Sequence, residues 1–164
     1  MEITFTYSKK EWIEARRNYL LLSKTITKLQ IVITLLFTLS LLLLSYYLKD
    51  DILYRILFFI DILSVGILSF LYILQPILLF SVTLKYQSPY RMKFTEDKIN
   101  FETLGISSVL NWNIYHGYLE NKRYIFLLRD KHNYTMIPKR AFKNKNDLIA
   151  FNRIINFNLT EGEH

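Results

Sequence analysis

Toward the C-terminus, three turns gather cations: Lys122-Arg123, Arg129 with Lys131, and Lys139-Arg140. Ammonium and guanidinium groups on turns can grip a phosphate or carboxylate through charge-assisted hydrogen bonds. If folding brings two of these turns together, Lys139 and Arg140 among them, a phosphate pocket or a lipid-headgroup contact results. The plainer reading is a solvated basic face that complements an anionic membrane leaflet. Trp112 and Tyr115 are residue types that could stack a nucleobase, and they are equally the types that fill the core of a small sheet domain.

No catalytic constellation accompanies these cations. The chain has no cysteine, which removes thiolate nucleophiles and agrees with a cytosolic setting that needs no disulfides. His116, His132 and His164 lie in different segments without the spacing of metal ligands. Gly66, Gly105, Gly117 and Gly162 are scattered and form no phosphate-cradling loop, and Ser107-Ser108 has no base near it in sequence. The expectation is a protein that is not an enzyme and uses neither cofactor nor metal.

The hydrophobic segments decide where such a site would sit. From Leu29 to Leu48 the chain carries twenty residues without a charge, and from Ile56 to Leu84 it carries only Asp61. At about 1.5 Å per residue, the first run alone crosses the roughly 30 Å hydrocarbon of a bilayer. The run starts too far along the chain, and ends without a small-residue cleavage site, to read as a signal peptide. A chain of 164 residues also has too little soluble protein to bury both runs. We therefore expect a transmembrane hairpin, with spans at about 29–48 and 54–76, between a segment 1–28 and a β-domain 85–164. The second run is longer than one span needs, and Pro76 should end or bend its helix. The stretch beyond Pro76 reads either as an interfacial extension or as the first strand of the β-domain.

Charge sets the orientation. The net charge of +7 divides into +3 before the first run, zero in the linker, −1 at Asp61 and +5 beyond the second run. Lys and Arg resist translocation, so both termini should lie in the cytoplasm and the linker outside. The basic excess is explained first by an anionic leaflet. No helix-turn-helix, zinc-finger or single-strand-binding pattern suggests DNA.

Asp61 stands out because a carboxylate in hydrocarbon costs at least about 2.5–3.5 kcal/mol, so it must face protein or water. At 100° per residue it shares a stripe with Ser64, Leu68, Tyr72 and Gln75, while Gln30, Thr34, Thr38 and Ser45 gather on one side of the first span. Such stripes suit packing between the spans, or between copies in a homo-oligomer. The alternative is that Asp61 lies near enough to the outer interface to reach water.

Local patterns supply the remaining elements. Ile3 to Tyr7 alternates as a strand, which needs a partner further along the chain. Ser8 stands three residues before Glu11 as a capping pair for a helix carrying Trp12, Ile13, Tyr19 and Leu20. After Pro89, strands are expected at 90–95, 99–102, 107–115, 118–120, 123–129 and 134–137. A helix over 144–157, capped by Asn146 or Asp147, should follow, with 160–164 frayed. The fold class is α+β: a two-helix hairpin with a small antiparallel barrel closed by a C-terminal helix.

This order resembles the YcxB-like bacterial membrane proteins. The matching features are Ile3 to Tyr7, the Trp12-to-Tyr19 helix, Phe94 to Ile99, Val109 to Tyr115 centred on Trp112, Tyr124 to Leu128, and Ile137-Pro138-Lys139-Arg140-Ala141-Phe142. The resemblance implies a pleckstrin-homology-like β-domain at the bacterial inner membrane, sensing a ligand, lipid or partner, and it implies no reaction. By architecture alone the chain is also similar to two-span antiphage effectors, in which a β-domain binds a cyclic nucleotide and the helices oligomerise to disrupt the membrane.

The charge pattern makes a direct prediction. A reporter active only outside the inner membrane should give signal when inserted at Asp51 and none at Glu163. The reverse pattern would invert the topology.

Overall fold

The computed structural model describes residues 1–48, 51–130 and 133–159. Lys49, Asp50, Lys131, His132 and residues 160–164 lie outside them, and with them the expectations for Lys131 as an anion ligand and for a frayed tail. The elements run β1 (Glu2–Phe5), α1 (Lys9–Leu22), α2 (Lys28–Leu48), α3 (Ile52–Ser69), a π-helical turn (Phe70–Leu74) and α4 (Gln75–Val82). Six strands follow: β2 (Tyr90–Phe94), β3 (Lys98–Thr103), β4 (Ile106–Asn111), β5 (Gly117–Glu120), β6 (Tyr124–Leu128) and β7 (Tyr134–Pro138). Helix α5 (Lys145–Asn158) ends the described chain.

The first strand finds its partner on the far side of the helical hairpin. β1 pairs antiparallel with β2, setting Ile3 opposite Met92 and Phe5 opposite Tyr90. The Met1 ammonium and the Phe94 amide extend the pairing, each donating a 2.7 Å bond to the other residue's carbonyl. Ile3, Phe5 and Tyr7 therefore enter the same buried core as Phe94, Phe126 and Phe151. Residues 1–22 and the strands after the hairpin form one folded unit, with the hairpin inserted into it.

The sheets stay open. One contains β1-β2-β3-β4 and the other β5-β6-β7, so the expected closed barrel is corrected to two antiparallel sheets. The third expected strand also stops early, at Asn111, where Trp112–Ile114 winds into a 3₁₀ turn. Burial of Trp112 explains the break. Its ring stacks on Phe94 and its Nε1–H donates to the Thr95 carbonyl at 3.0 Å, which draws the chain inward before β5 can extend the first sheet. At the opposite seam, β1 and β7 communicate through side chains: the Tyr7 hydroxyl donates to the Met136 carbonyl, and Arg140 donates to the Thr6 carbonyl.

Helices cover both faces of this arrangement. Tyr124 and Phe126 turn toward α1, where the Tyr124 hydroxyl reaches the Glu11 carbonyl and Phe126 packs on Tyr19. The alternate residues Ile125 and Leu127 are fully buried, as strand periodicity requires for the opposite face. α5 inserts Phe151 between Phe94 and Phe142, and its Asn156 accepts a bond from the Tyr118 hydroxyl. Its cap is Asn144, which accepts from the Asp147 amide, so the helix begins earlier than the Asn146 or Asp147 caps expected from sequence.

The hairpin is the apolar part. α2 and the continuous Ile52–Val82 segment are each long and apolar enough to cross a membrane, and their side chains are mostly exposed. Asp51 starts α3 by accepting from the Leu53 and Tyr54 amides. Asp61 is 3% exposed and accepts a 3.0 Å bond from the Thr38 hydroxyl of α2, so the carboxylate faces the neighbouring helix. Ser64 of α3 and Gln75 of α4 are half-buried along the same continuous segment.

Each of Ile3, Phe5 and Tyr7 contributes about 1.5–3 kcal/mol of burial, a total comparable to a domain's net stability. Deleting Met1 to Tyr7 should therefore abolish folded expression. The milder Phe5→Ala change should cost about 3–5 kcal/mol in thermal unfolding of the detergent-solubilised protein. Unchanged unfolding in both would mean that β1 is dispensable.

Candidate functional site

Backbone geometry brings two of the basic turns together. Asn121 Oδ1 accepts from the amides of Arg123 and Tyr124, tightening the β5–β6 turn. Pro138 ends β7, and the Lys139 amide then donates to the Arg123 carbonyl at 2.8 Å. This bond continues the β6–β7 ladder, in which Tyr124 lies opposite Pro138, and so sets Lys122-Arg123 beside Lys139-Arg140. The two turns, with the first turns of α1, line a cleft of about 660 Å³ that also includes Lys10, Glu11, Glu14 and Tyr124.

Most of the charge in that cleft is already matched. Arg140 grips both carboxylate oxygens of Glu11, with its Nε 2.6 Å from Oε1, and the same guanidinium donates to the Thr6 carbonyl. Arg123 pairs with Glu14 at 2.6 Å, and Lys139 pairs with Glu120 at 2.8 Å. The Glu11 carboxylate holds the Arg140 guanidinium above its ordinary range. Tyr124 is pushed up to about 12, chiefly by burial, and stays a neutral hydroxyl beside these charges. Only Lys10 and Lys122 in the cleft lack a carboxylate partner among the described residues. The turns thus fasten α1 to the second sheet.

α1 is fastened at its other end to the hairpin, for a reason that starts at Pro76. Proline has no amide hydrogen, so the carbonyl four residues back, that of Tyr72, receives no helical bond from it. The helix accommodates the ring by widening into the Phe70–Leu74 π turn, in which the Gln75 amide donates to the Phe70 carbonyl. Arg17 of α1 supplies the missing donor: its Nε bonds to the Tyr72 carbonyl at 3.0 Å and its guanidinium lies 5.0 Å from the Tyr72 ring centroid. The helix neither ends nor starts a strand at Pro76. It continues to Val82, and a 3₁₀ turn over Leu84–Gln87 leads into β2.

Arg129 lies apart from the paired turns. It helps line a separate cavity of about 340 Å³ at the open seam between the sheets, next to Leu79 of α4. Arg16 and Lys85 line it too, with Trp12, Tyr86 and Tyr134 among its aromatic walls. Trp12 stacks on Tyr86 at 3.8 Å and Tyr134 on Tyr19 at 3.7 Å. Arg16 Nη1 donates to the Tyr134 hydroxyl at 2.8 Å. Burial pushes that hydroxyl up to about 12 against the opposing pull of Arg16.

The other sequence candidates have plain placements. Trp112 and Tyr115 are buried in the core, the latter hydrogen-bonded to Thr135, so neither presents a free ring to a base. Among the described residues no group of His, Asp or Glu is arranged to hold a metal. Arg16, Arg17 and Lys85 are the residues that sequence reasoning missed. For Arg17 a signal existed in Pro76, which leaves the Tyr72 carbonyl unpaired wherever the helix continues.

Residues 94–155 match the family model described as YcxB-like protein, a stretch from the end of β2 into α5 that contains all three basic turns and excludes α1 and the hairpin. No curated protein and no solved structure matches the chain.

The exposed ion pairs should be modest individually, about 1 kcal/mol each. A Glu11→Gln, Arg140→Met double-mutant cycle should show a coupling of about that size in denaturant unfolding, fading at high salt. Strict additivity would reduce the Arg140 contact to its bond with Thr6.

Proposed function

We propose that this YcxB-like chain is a non-enzymatic protein of the bacterial inner membrane whose cytosolic β-domain is mechanically coupled to a two-helix membrane element through α1. The observation that carries the reading is the double attachment of one short helix. Glu11 and Glu14 hold α1 to the basic turns of the β-domain, and Arg17, one turn further along, holds it to the Tyr72 carbonyl in the hairpin.

The chemistry of the two attachments suits a relay. The ion pairs lie at the surface, with both guanidinium groups more than half exposed, so a ligand or partner at the β-domain can reach and exchange them. The Tyr72 carbonyl lies in an apolar helix, where an unpaired acceptor costs several kcal/mol, so Arg17 stays bound and α1 carries the π turn with it. A π turn whose lost helical bond is replaced from another element is also the least constrained point of the helix. A shift of α1 is therefore felt at the packing of α3 against α2, where Asp61 and Thr38 meet. Both termini of the hairpin return to one folded unit, which agrees with a single cytosolic side for that unit. The pleckstrin-homology-like character of the domain, its attraction to an anionic leaflet and assembly into a homo-oligomer belong to the same proposal.

Non-additivity tests the relay. In the full chain held in nanodiscs, Arg140→Met should speed amide exchange across Phe70–Leu74 by roughly fivefold, the equivalent of about 1 kcal/mol. The same substitution should add nothing once Arg17→Met is present. Independent, additive effects of the two changes would sink the coupling.

A further inference from the structure

We propose that the cavity at the open seam between the two sheets, beside the end of α4, binds a phosphate-bearing anion through Arg16, Lys85 and Arg129, with the Trp12 ring in its wall. This deepens the coupling reading by naming the ligand class that would act on α1, since Trp12 and Arg16 lie on the same helix as Glu11 and Arg17.

The contrast with the paired cleft carries the argument. There, Arg123, Lys139 and Arg140 each have a glutamate. Among the described residues, none that lines the cavity is an Asp or Glu, and none of Arg16, Lys85 and Arg129 has a carboxylate partner. Arg16 bonds a neutral phenol, and Lys85 lies 5.5 Å from the Phe101 ring centroid. Three cations around one small space repel one another unless an anion enters it.

Unused donors point the same way. Trp12 is 7% exposed, and its Nε1 has no hydrogen-bond acceptor among the described residues. Arg16 Nε is likewise buried and unpartnered. Buried donors are nearly always satisfied, and both residues line the cavity from adjacent turns of one helix, so a small rotation of either side chain toward an occupant supplies the acceptor its donor lacks. Phosphate answers the need better than carboxylate because its several oxygens can accept from two Arg and a Lys together. The space, about 340 Å³, is at the small end of ligand pockets and is suited to a phosphate ester with one compact substituent. Leu79 in the wall puts the site next to the apolar hairpin, so the phosphate can come from a lipid headgroup or from a soluble ester.

The test reads occupancy directly, whether or not the signal reaches the hairpin. The chain has two tryptophans, so a Trp112→Phe background leaves Trp12 as the sole reporter. That protein, in uncharged detergent, would be titrated with dihexanoyl phosphatidylglycerol, with glycerol 3-phosphate and with phosphate-free dihexanoylglycerol. A saturable change in Trp12 emission is expected with at least one phosphate-bearing probe and not with dihexanoylglycerol. Response to the lipid alone identifies a headgroup, and response to glycerol 3-phosphate identifies a soluble ester. A Lys85→Gln, Arg129→Gln variant breaks no ion pair among the described residues and should weaken binding at least tenfold. No response to either phosphate probe, an equal response to dihexanoylglycerol, or undiminished binding in the variant would overturn the proposal. If binding holds while Arg140→Met and Arg17→Met act additively on amide exchange, the site stands and the relay falls.

Discussion

The pairing of β1 with β2 is the constraint from which the rest of the molecule follows. A single strand cannot stand alone, so the chain must return from its apolar hairpin to complete the sheet that Ile3 and Phe5 began. That return fixes both ends of the hairpin against one core. It also traps α1 between the second sheet and α4, because α1 joins the first strand to the first long helix. Helix α1 has little freedom to leave, and its polar residues are obliged to find partners on both sides.

The distribution of positive charge makes sense only within that frame. Cations at the turns of β5–β6 and after β7 meet the glutamates of α1 and β5, and their role is attachment. Arg17 meets a backbone carbonyl that proline has deprived of its helical donor. Arg16, Lys85 and Arg129 meet aromatic rings and open space. Residues of identical type therefore do three different jobs, decided by what lies opposite each of them. The open seam matters here: a closed barrel would have filled the space that these three cations surround.

Much of the fold was legible because its signals are local. The apolar runs, the Ser8 cap, the turns at Asn121 and Pro138, and the alternation of Ile3 to Tyr7 each depend on neighbours in sequence. The site was legible only in part. Lys139, Arg140, Lys122 and Arg123 do come together, yet the glutamate partners of Arg123 and Arg140 on α1 lie more than a hundred residues away. Trp112 and Tyr115 illustrate the same limit, since residue type alone cannot say whether an aromatic ring faces a ligand or the core.

What the sequence by itself determined was the set of elements, because helix and strand periodicity, capping and hydrophobic length are properties of short windows. It also determined that two helices are apolar enough to span a membrane and that the chain is basic on either side of them. Tertiary structure alone decided that the sheets stay open, since closure depends on where the buried Trp112 turns the chain after β4. It alone decided that the helix runs through Pro76, since only a donor from another element makes the lost bond tolerable. And it alone sorted the cations into paired and unpaired, because a charge acquires its role from the groups that folding sets within a few ångströms of it.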